Sequence, residues 1–356
     1  MGPMSGPHRI AVVMGGPSGE HEISLKSGHG IVNALAQRRW SVTPIVIPHA
    51  LGVAEAAVCA SRALLETAPD VVFIALHGAF GEDGTIQRVC EELHLAYTGS
   101  DVAASRLGMD KVASRKRFED AGLRVPAWHT VDLTHGTRCG LAEIHARLRS
   151  GRAALPLVIK PTSQGSSLGV SIARREEERG PALEDAGRYG PSVLVEAFIQ
   201  GRELTVGILH EAPLPVIEIR PHAKFFDFTA KYTAGSTDYV APAALEPAIA
   251  EAAQAAGLTA HRAIGCRHFS RADLILSREH VPVVLEINTI PGFTPTSLLP
   301  KAARCVGLSY EALCEQLVIM AWEGTRPERP STRMRSLGAA PSGVKARSRG
   351  MPHLVR

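Results

Sequence analysis

Short apolar runs punctuate the first third of the chain, at Ile10 to Met14, Val42 to Ile47 and Val71 to Leu76, each bounded by Gly, Pro or Asp. Helical patterns lie between them, the first beginning near Ser24. Apolar runs of strand length that alternate with helical stretches predict a doubly wound parallel sheet with crossover helices. A second unit starts near Asp110, where Lys111 to Ala121 reads as an amphipathic helix, followed by strands at Leu157 to Lys160, Val170 to Ile172 and Val193 to Phe198. This unit is expected to be smaller and more antiparallel. The last third offers longer strands, Glu203 to Leu209, Pro215 to Arg220, Ser270 to Leu276 and Val283 to Ile287, with helices at Pro247 to Ala263 and Tyr310 to Trp322. The fold class is α/β, with boundaries expected at 9–108, 109–200 and 201–323 for N-terminal, central and C-terminal units, the last two being α+β.

Composition supports division into two or three domains: 356 residues, 45% apolar and 21% charged, can bury more than one core. The net charge of +4 would suggest nucleic acid if it lay on a folded face, but it does not. Residues 324–356 carry eight Lys or Arg against the single acid Glu328, so the tail holds +7 and the body is left at −3. That tail is rich in Pro, Gly, Ser and Arg and is expected to be disordered. Six scattered cysteines with neither Cys-x-x-Cys nor zinc spacing read as reduced, mostly buried thiols. Ile10 to Met14 runs straight into Gly15-Gly16, no signal peptide is expected, and no apolar run approaches a membrane span. The expectation is a cytoplasmic protein with neither nucleic-acid nor membrane partners.

The chemistry-bearing residues fall at strand ends. Lys160-Pro-Thr-Ser-Gln-Gly-Ser-Ser-Leu-Gly-Val170 places a lysine at the end of a strand before a Gly/Ser-rich turn. Such a turn can bring N–H groups, hydroxyls and one ammonium onto phosphate oxygens, although the order of residues is not that of a P-loop. Arg271-Ala-Asp273 and Glu286-Ile-Asn288 are separated by a length that suits a hairpin. Two carboxylates and an amide oxygen make a hard, oxygen-only set suited to Mg²⁺ with nucleotide phosphates as co-ligands. An ion pair of Asp273 with Arg271 is the competing account. Gly292, in the turn that follows, allows close backbone approach and could form an oxyanion hole with Arg271. Near the N-terminus Gly15-Gly-Pro-Ser-Gly-Glu20 offers an acid where a dinucleotide site would offer bare N–H groups, which favours an ammonium ligand. His77, in Leu76-His-Gly-Ala-Phe-Gly-Glu-Asp-Gly84, is either a second ligand-facing group or a satisfied structural histidine.

Seven segments in order resemble signatures of the D-alanine:D-alanine ligase family: Val13 to Leu25, Leu76 to Thr85, Tyr97-Thr-Gly-Ser100, Met109-Asp-Lys111, the Lys160 hairpin, Phe226-Asp-Phe-Thr-Ala-Lys231-Tyr232 and Glu286 to Gly292. The resemblance covers nearly all of Ile10 to Trp322. It implies an ATP-grasp fold and an ATP-dependent ligation of two D-alanines through an acyl phosphate, for peptidoglycan precursor synthesis. Carried over by residue, Lys111 and Lys160 resemble the lysines on the ATP phosphates. Glu196, Phe198, Ile199 and Glu203 resemble the nucleoside-binding stretch. Asp273, Glu286 and Asn288 resemble the ligands of two Mg²⁺ ions, or Mn²⁺ in their place, Asn288 also belonging to the nucleotide site. Glu20 would hold the first ammonium, linked to Ser166 and Tyr232, with His77 beside it. Lys231, Ser297 and Leu298 would receive the second substrate, and Arg271 and Gly292 would stabilise the oxyanion. The resemblance also implies a homodimer.

Several positions depart from the common pattern. Gln164 replaces a frequent acid, His268-Phe269 stands where Gly-Tyr is usual, and Phe226 and Phe228 stand where tyrosines are common. None removes a proposed catalytic group. The alternative is an ATP-grasp ligase with another D-amino or D-hydroxy acid as second substrate, or one serving a specialised metabolite.

Overall fold

In the computed structural model the run after Arg9 becomes a strand, β1 (Arg9–Gly15), buried from Ile10 onward. The structure describes residues 9–151, 153–165, 168–222 and 235–324, all inside the unit Met1–Thr325. Ser166, Phe226, Phe228, Lys231, Tyr232 and the basic tail from 325 onward lie outside the described residues.

β1 pairs in parallel with β2 (Ser41–Ile47) and β3 (Val71–Ile74), and β3 with β4 (Ala96–Tyr97), giving the order β2-β1-β3-β4. Alternate residues of β1 feed two cores: Ile10, Val12 and Met14 on one face, Ala11 and Val13 on the other. A parallel sheet covered on both faces reads as an unbroken apolar run, which is why the sequence pattern is so plain here. Helix α1 (His21–Gln37) packs on the first face and α2 (Val53–Thr67) with α3 (Thr85–Glu92) on the second. Gly28 lets α1 come close, since a Cβ there would stand 2.5 Å from Met14 Cβ. α1 starts at His21, before the expected Ser24, because Ser24 is a clamp inside it: Gly15 N donates to Ser24 Oγ (2.8 Å), which donates to Ala75 O (2.7 Å).

Helices α4 (Val102–Met109) and α5 (Lys111–Asp120) lead out of this sheet, α5 capped by Asp110, whose carboxylate accepts from Val112 N and Ala113 N at 3.0 Å. Next come β5 (Trp128–Asp132), α6 (Thr137–Arg149), β6 (Leu157–Pro161), β7 (Ser171–Ala173), α7 (Arg179–Gly187) and β8 (Ser192–Ala197), with antiparallel strand order β5-β8-β6-β7. Leu157, Ile159, Val193 and Val195 point into the core under α6 and α7. The two-residue side-chain period therefore turns Val158, Lys160 and Glu196 to the opposite face.

The third sheet is antiparallel, in the order β12-β11-β9-β13-β14: β9 (Gly201–Leu209), with the short β10 (Ala212–Pro213) beside it, β11 (Ile217–Pro221), β12 (Thr237–Val240), β13 (Phe269–Ser277) and β14 (Pro282–Asn288). Leu204, Val206, Ile208, Ala272, Leu274 and Ile287 pack under α8 (Pro247–Ile264). By the same period Glu203, Thr205, Arg271, Asp273, Glu286 and Asn288 share the other face. α9 (Leu298–Cys305) and α10 (Tyr310–Gly324) close the described chain, and α10 returns to the first core, where Glu315 accepts from Trp40 Nε1 at 3.0 Å.

His268 takes φ +57°, and its Nδ1 accepts from Gly99 N at 3.1 Å. A left-handed backbone explains why glycine suits that position, and the hydrogen bond offsets part of the strain. Phe269 packs edge-on to Phe293 at 5.8 Å, filling the place of a tyrosine ring without its hydroxyl. All six cysteines are free, but only Cys90, Cys266 and Cys314 are buried, while Cys139 and Cys305 are exposed and Cys59 half-buried. Among the described residues no helix is long and apolar enough to cross a membrane.

One buried cation joins the second sheet to the third. Arg115 of α5 donates from Nε to Glu196 Oε1 (2.7 Å) and from Nη1 to Val284 O of β14 (2.6 Å), while Lys160 Nζ sits 2.8 Å from Glu196 Oε2. Arg115→Met keeps the bulk of the stem but leaves Glu196 one cation short and Val284 O without its donor. Unfolding free energy should fall by roughly 3–5 kcal/mol, read as a lower urea midpoint. An unchanged midpoint would show that the network does not hold the sheets together.

Candidate active site

The two polar sheet faces look at each other across a cavity of about 560 Å³. Val158, Phe198 and Ile199 give it an apolar wall, and Lys111, Lys160, Asp273 and Glu286 give it a charged end, with Glu203 on β9. Glu196 is only 2% exposed. Burial alone would keep its carboxyl protonated, but Lys160 and Arg115 outweigh burial and hold it below the ordinary value, so it is ionised. Lys160 is thus a buried, paired cation and not a solvated one. Lys111 donates from Nζ to Gln164 O (2.5 Å) and lies 3.7 Å from Glu286 Oε2, bringing the start of α5, the Gly/Ser turn and β14 together. A slot with an apolar wall and two lysines at one end can take a flat heterocycle and a polyphosphate.

A second cavity, about 590 Å³, opens beyond the β13–β14 hairpin. Asp273 and Glu286 line the first cavity, Arg271 lines the second, and Asn288 lines the second beside it. Across the hairpin Asp273 stands opposite Glu286 and Arg271 opposite Asn288. Arg271 grips Asp273 through two parallel hydrogen bonds, Nε to Oδ1 (2.8 Å) and Nη2 to Oδ2 (2.7 Å). Thr205 Oγ1 donates to Oδ1 (2.6 Å) and Asn288 Nδ2 to Oδ2 (3.0 Å). Asp273 is therefore ion-paired with Arg271. The pairing does not exclude a metal: two carboxylates and an amide on facing strands are the donors Mg²⁺ uses when phosphate oxygens complete its shell. Among the described residues no group of three or more His, Cys, Asp or Glu could hold an ion by itself, so a metal here needs those oxygens.

Glu20 and Glu82 also line the second cavity, as does Lys26. Gly78 takes φ +69°, and a Cβ there would meet Glu20 Oε2 at 2.7 Å, so glycine is required for Glu20 to reach in. His77, 3% exposed, donates from Nδ1 to Ile290 O (3.2 Å), which leaves Nε2 to accept from Ser27 Oγ (3.0 Å). Burial pushes the imidazole below its ordinary value, so it is a neutral, fully partnered histidine bordering the cavity. Gly292 and Leu298 line the same cavity, as does Ser297, whose Oγ accepts from Thr294 N at 2.9 Å. Glu20, His77, Arg271, Asn288, Gly292, Ser297 and Leu298 are thereby gathered in one cavity, and Lys111, Lys160, Glu196, Phe198, Ile199, Glu203, Asp273 and Glu286 in the other. Sequence reasoning missed Glu82, Arg115, Tyr239 and Lys301. Glu82 sits five residues after His77 in a segment already singled out, so its position gave a signal; Arg115 is hidden in a run of charges on α5.

Family models match both ends of the chain: the D-ala D-ala ligase N-terminus over residues 9–57 and 54–100, and the D-ala D-ala ligase C-terminus over 117–319. A D-alanine–D-alanine ligase of Desulforudis audaxviator is 43% identical over 319 residues, covering 88% of this chain and 99% of that protein. The chain belongs to the D-alanine–D-alanine ligase family. A ligase of the same description from Geotalea uraniireducens is 40% identical, with 88% of this chain and 95% of its own length covered. Among solved structures, a Bacillus anthracis D-alanine–D-alanine ligase complexed with ATP superposes with a TM-score of 0.74 at 30% identity, covering 89% of this chain and 98% of its own. The VanG D-Ala:D-Ser ligase of Enterococcus faecalis also gives 0.74 at 30%, covering 88% and 99%. The fold is the ATP-grasp fold.

Glu82 supplies a pH test of the site. Its Oε1 accepts from Gly78 N at 3.2 Å, on the same glycine that Glu20 flanks. Burial, then the charge of Glu20, pushes its carboxyl up to about 8, against the Gly78 hydrogen bond and Arg271. A carboxyl whose folded value exceeds its unfolded one binds its proton more tightly when folded, so its contribution is full below the unfolded value and is lost as pH rises towards 8. Glu82→Gln removes that loss. From pH 5 to pH 8.5 the wild type should lose roughly 1–3 kcal/mol relative to the variant, measured by paired urea titrations. A difference that stays flat with pH would mean that Glu82 is already ionised at pH 5.

Proposed function

We propose that this protein joins two molecules of D-alanine into D-alanyl-D-alanine, converting ATP to ADP and phosphate, for peptidoglycan precursor synthesis. The observation that carries the reading is the β13–β14 hairpin, which stands between a cavity with an apolar wall and two lysines and a second cavity lined by Glu20 and Arg271. Phosphoryl transfer needs the ligands of the two cavities to meet at one place, and the Arg271–Asp273 pair, with Arg271 lining one cavity and Asp273 the other, supports a meeting there.

In the proposed sequence the carboxylate of the first D-alanine attacks the γ-phosphorus, and the bond from that phosphorus to the ADP oxygen breaks. The amine of the second D-alanine then attacks the acyl carbon, phosphate leaves, and the amine loses its extra proton. Phe198 and Ile199 bound the heterocycle, Glu203 takes the ribose, and Lys111 and Lys160 take the phosphates. Glu196 acts by holding Lys160. Glu20 holds the first ammonium, with Ser166 and Tyr232 hydrogen-bonded to it and His77 alongside. Arg271 and Gly292 N–H stabilise the oxyanion in the tetrahedral stage. Lys231, Ser297 and Leu298 hold the second substrate. Asp273, Glu286 and Asn288 would hold two Mg²⁺ ions, which supply charge neutralisation on the phosphate oxygens. We assign 9–108, 109–200 and 201–323 to substrate-binding, lid and catalytic domains, and place the protein in the cytoplasm as a homodimer.

The fold alone does not choose the second substrate, because a D-Ala:D-Ser ligase superposes as well as a D-alanine–D-alanine ligase does. Identities of 40–43% to proteins named for the dipeptide reaction favour D-alanine. Purified protein with ATP and Mg²⁺ should release ADP on addition of D-alanine alone, with dipeptide formed in equal amount. Silence with D-alanine alongside strong release with another D-amino or D-hydroxy acid pair would sink the assignment. Glu286→Gln should abolish turnover, and retained activity would refute its metal role.

A further inference from the structure

The second cavity is lined by the carboxyls of Glu20 and Glu82 and by the cations Lys26, Arg271 and Lys301, the last of them sharing α9 with Leu298. Lys301 is a lysine of α9 whose N–H donates to Ser297 O at 2.9 Å, so it lies one turn along from Ser297. Its Nζ stands 4.2 Å from the centre of the Tyr239 ring of β12. Among the described residues it forms no salt bridge. Burial and the nearby Arg304 both work against its charge, drawing the ammonium below its ordinary value.

An ammonium partly withdrawn from water is costly unless a negative group offsets it, and a π-face offsets only part of that cost. Here the open side of the group is the cavity itself. The α9 N-terminus beside it adds positive potential of the same sense. We propose that Lys301 is a specificity-determining residue of the second-substrate subsite, where its ammonium, braced by Tyr239, takes the carboxylate of the incoming amino acid together with Ser297. This rests on the ligase reading above. The first amino acid lies with its ammonium at Glu20 and its carboxylate at Arg271. The second then has its amine towards Arg271 and its carboxylate towards Lys301. The cavity sorts the two ends of each zwitterion by charge.

The test compares wild type, Lys301→Met, Lys301→Gln and Lys301→Arg in ADP release, with D-alanine and with D-alaninamide, which lacks the carboxylate, as second substrate. Lys301→Met and Lys301→Gln should each raise KM for the second D-alanine by about tenfold, the weight of one partly screened charge contact. KM for ATP should stay within a few-fold, which also reports that the fold is intact. The preference for D-alanine over D-alaninamide should shrink by a similar factor, and Lys301→Arg should restore most of it. Unchanged KM and unchanged preference in both neutral variants would overturn the role of Lys301 while leaving the ligase reading standing. A wild type that releases no ADP with D-alanine would overturn both.

Discussion

Arg271 and Asp273 stand two residues apart on one face of β13, joined by two parallel hydrogen bonds, and the rest of the site is arranged around that pair. Strand periodicity makes this possible: Ala272 and Leu274 go to the core, so Arg271 and Asp273, which alternate with them, face the cavities. A bidentate Arg–carboxylate contact fixes both side chains more firmly than a single contact would. Thr205 and Asn288 add one bond each to Asp273, so neither of its oxygens is left to a single partner. The pair is partly exposed at 13% and 18%, which leaves it open to ligands on both sides. On the proposed reading, Asp273 would also hold a metal ion that neutralises phosphate charge, while Arg271, fixed by the same carboxylate, lines the second cavity where the acyl oxygen would lie.

The Lys160–Glu196–Arg115 network has a different character. Its members are almost wholly buried, and breaking such a network costs far more than its net contribution to stability. Its location gives the reason to keep it. Lys160 is on β6, Glu196 on β8, Arg115 on α5, and Arg115 also reaches a carbonyl of β14. The same charges that present an ammonium to the first cavity also tie the second sheet to the third. Displacing Lys160 would therefore disturb the width of the slot as well as its charge.

The fold was most legible where strands are buried on both faces. Ile10 to Met14 and Val71 to Leu76 could be read directly, because nothing but apolar side chains fits there. The antiparallel third sheet was also readable, since its charges fall at alternate positions and mark the site face. β5, α6 and α7 were not assigned: Trp128–Asp132 mixes aromatic and polar residues, and α6 buries only Gly140 and Ile144 among its thirteen residues. In the site, Asp273 and Glu286 stood out because a charge inside an apolar strand needs a reason. Arg115 did not, since Lys111 to Asp120 carries charges throughout and only tertiary packing shows that this one is buried. Lys301 and Tyr239 come from segments sixty residues apart, and their meeting is a property of the fold alone.

The two halves of the second cavity bear differently on substrate choice. On the proposed reading, charge contacts at Glu20, Arg271 and Lys301 would recognise features that every α-amino acid shares, so they would select for the ammonium and carboxylate, set orientation and leave the side chain unread. Reading the side chain falls to neighbours such as Leu298, and an apolar contact rejects an added hydroxyl by only about a hundredfold. A ligase that uses D-alanine and one that uses D-serine can therefore share this backbone, as the equal superposition with both kinds indicates. On the proposed reading, charge geometry orients two amino acids, and a small part of the cavity wall, Leu298 included, is left to decide which ones.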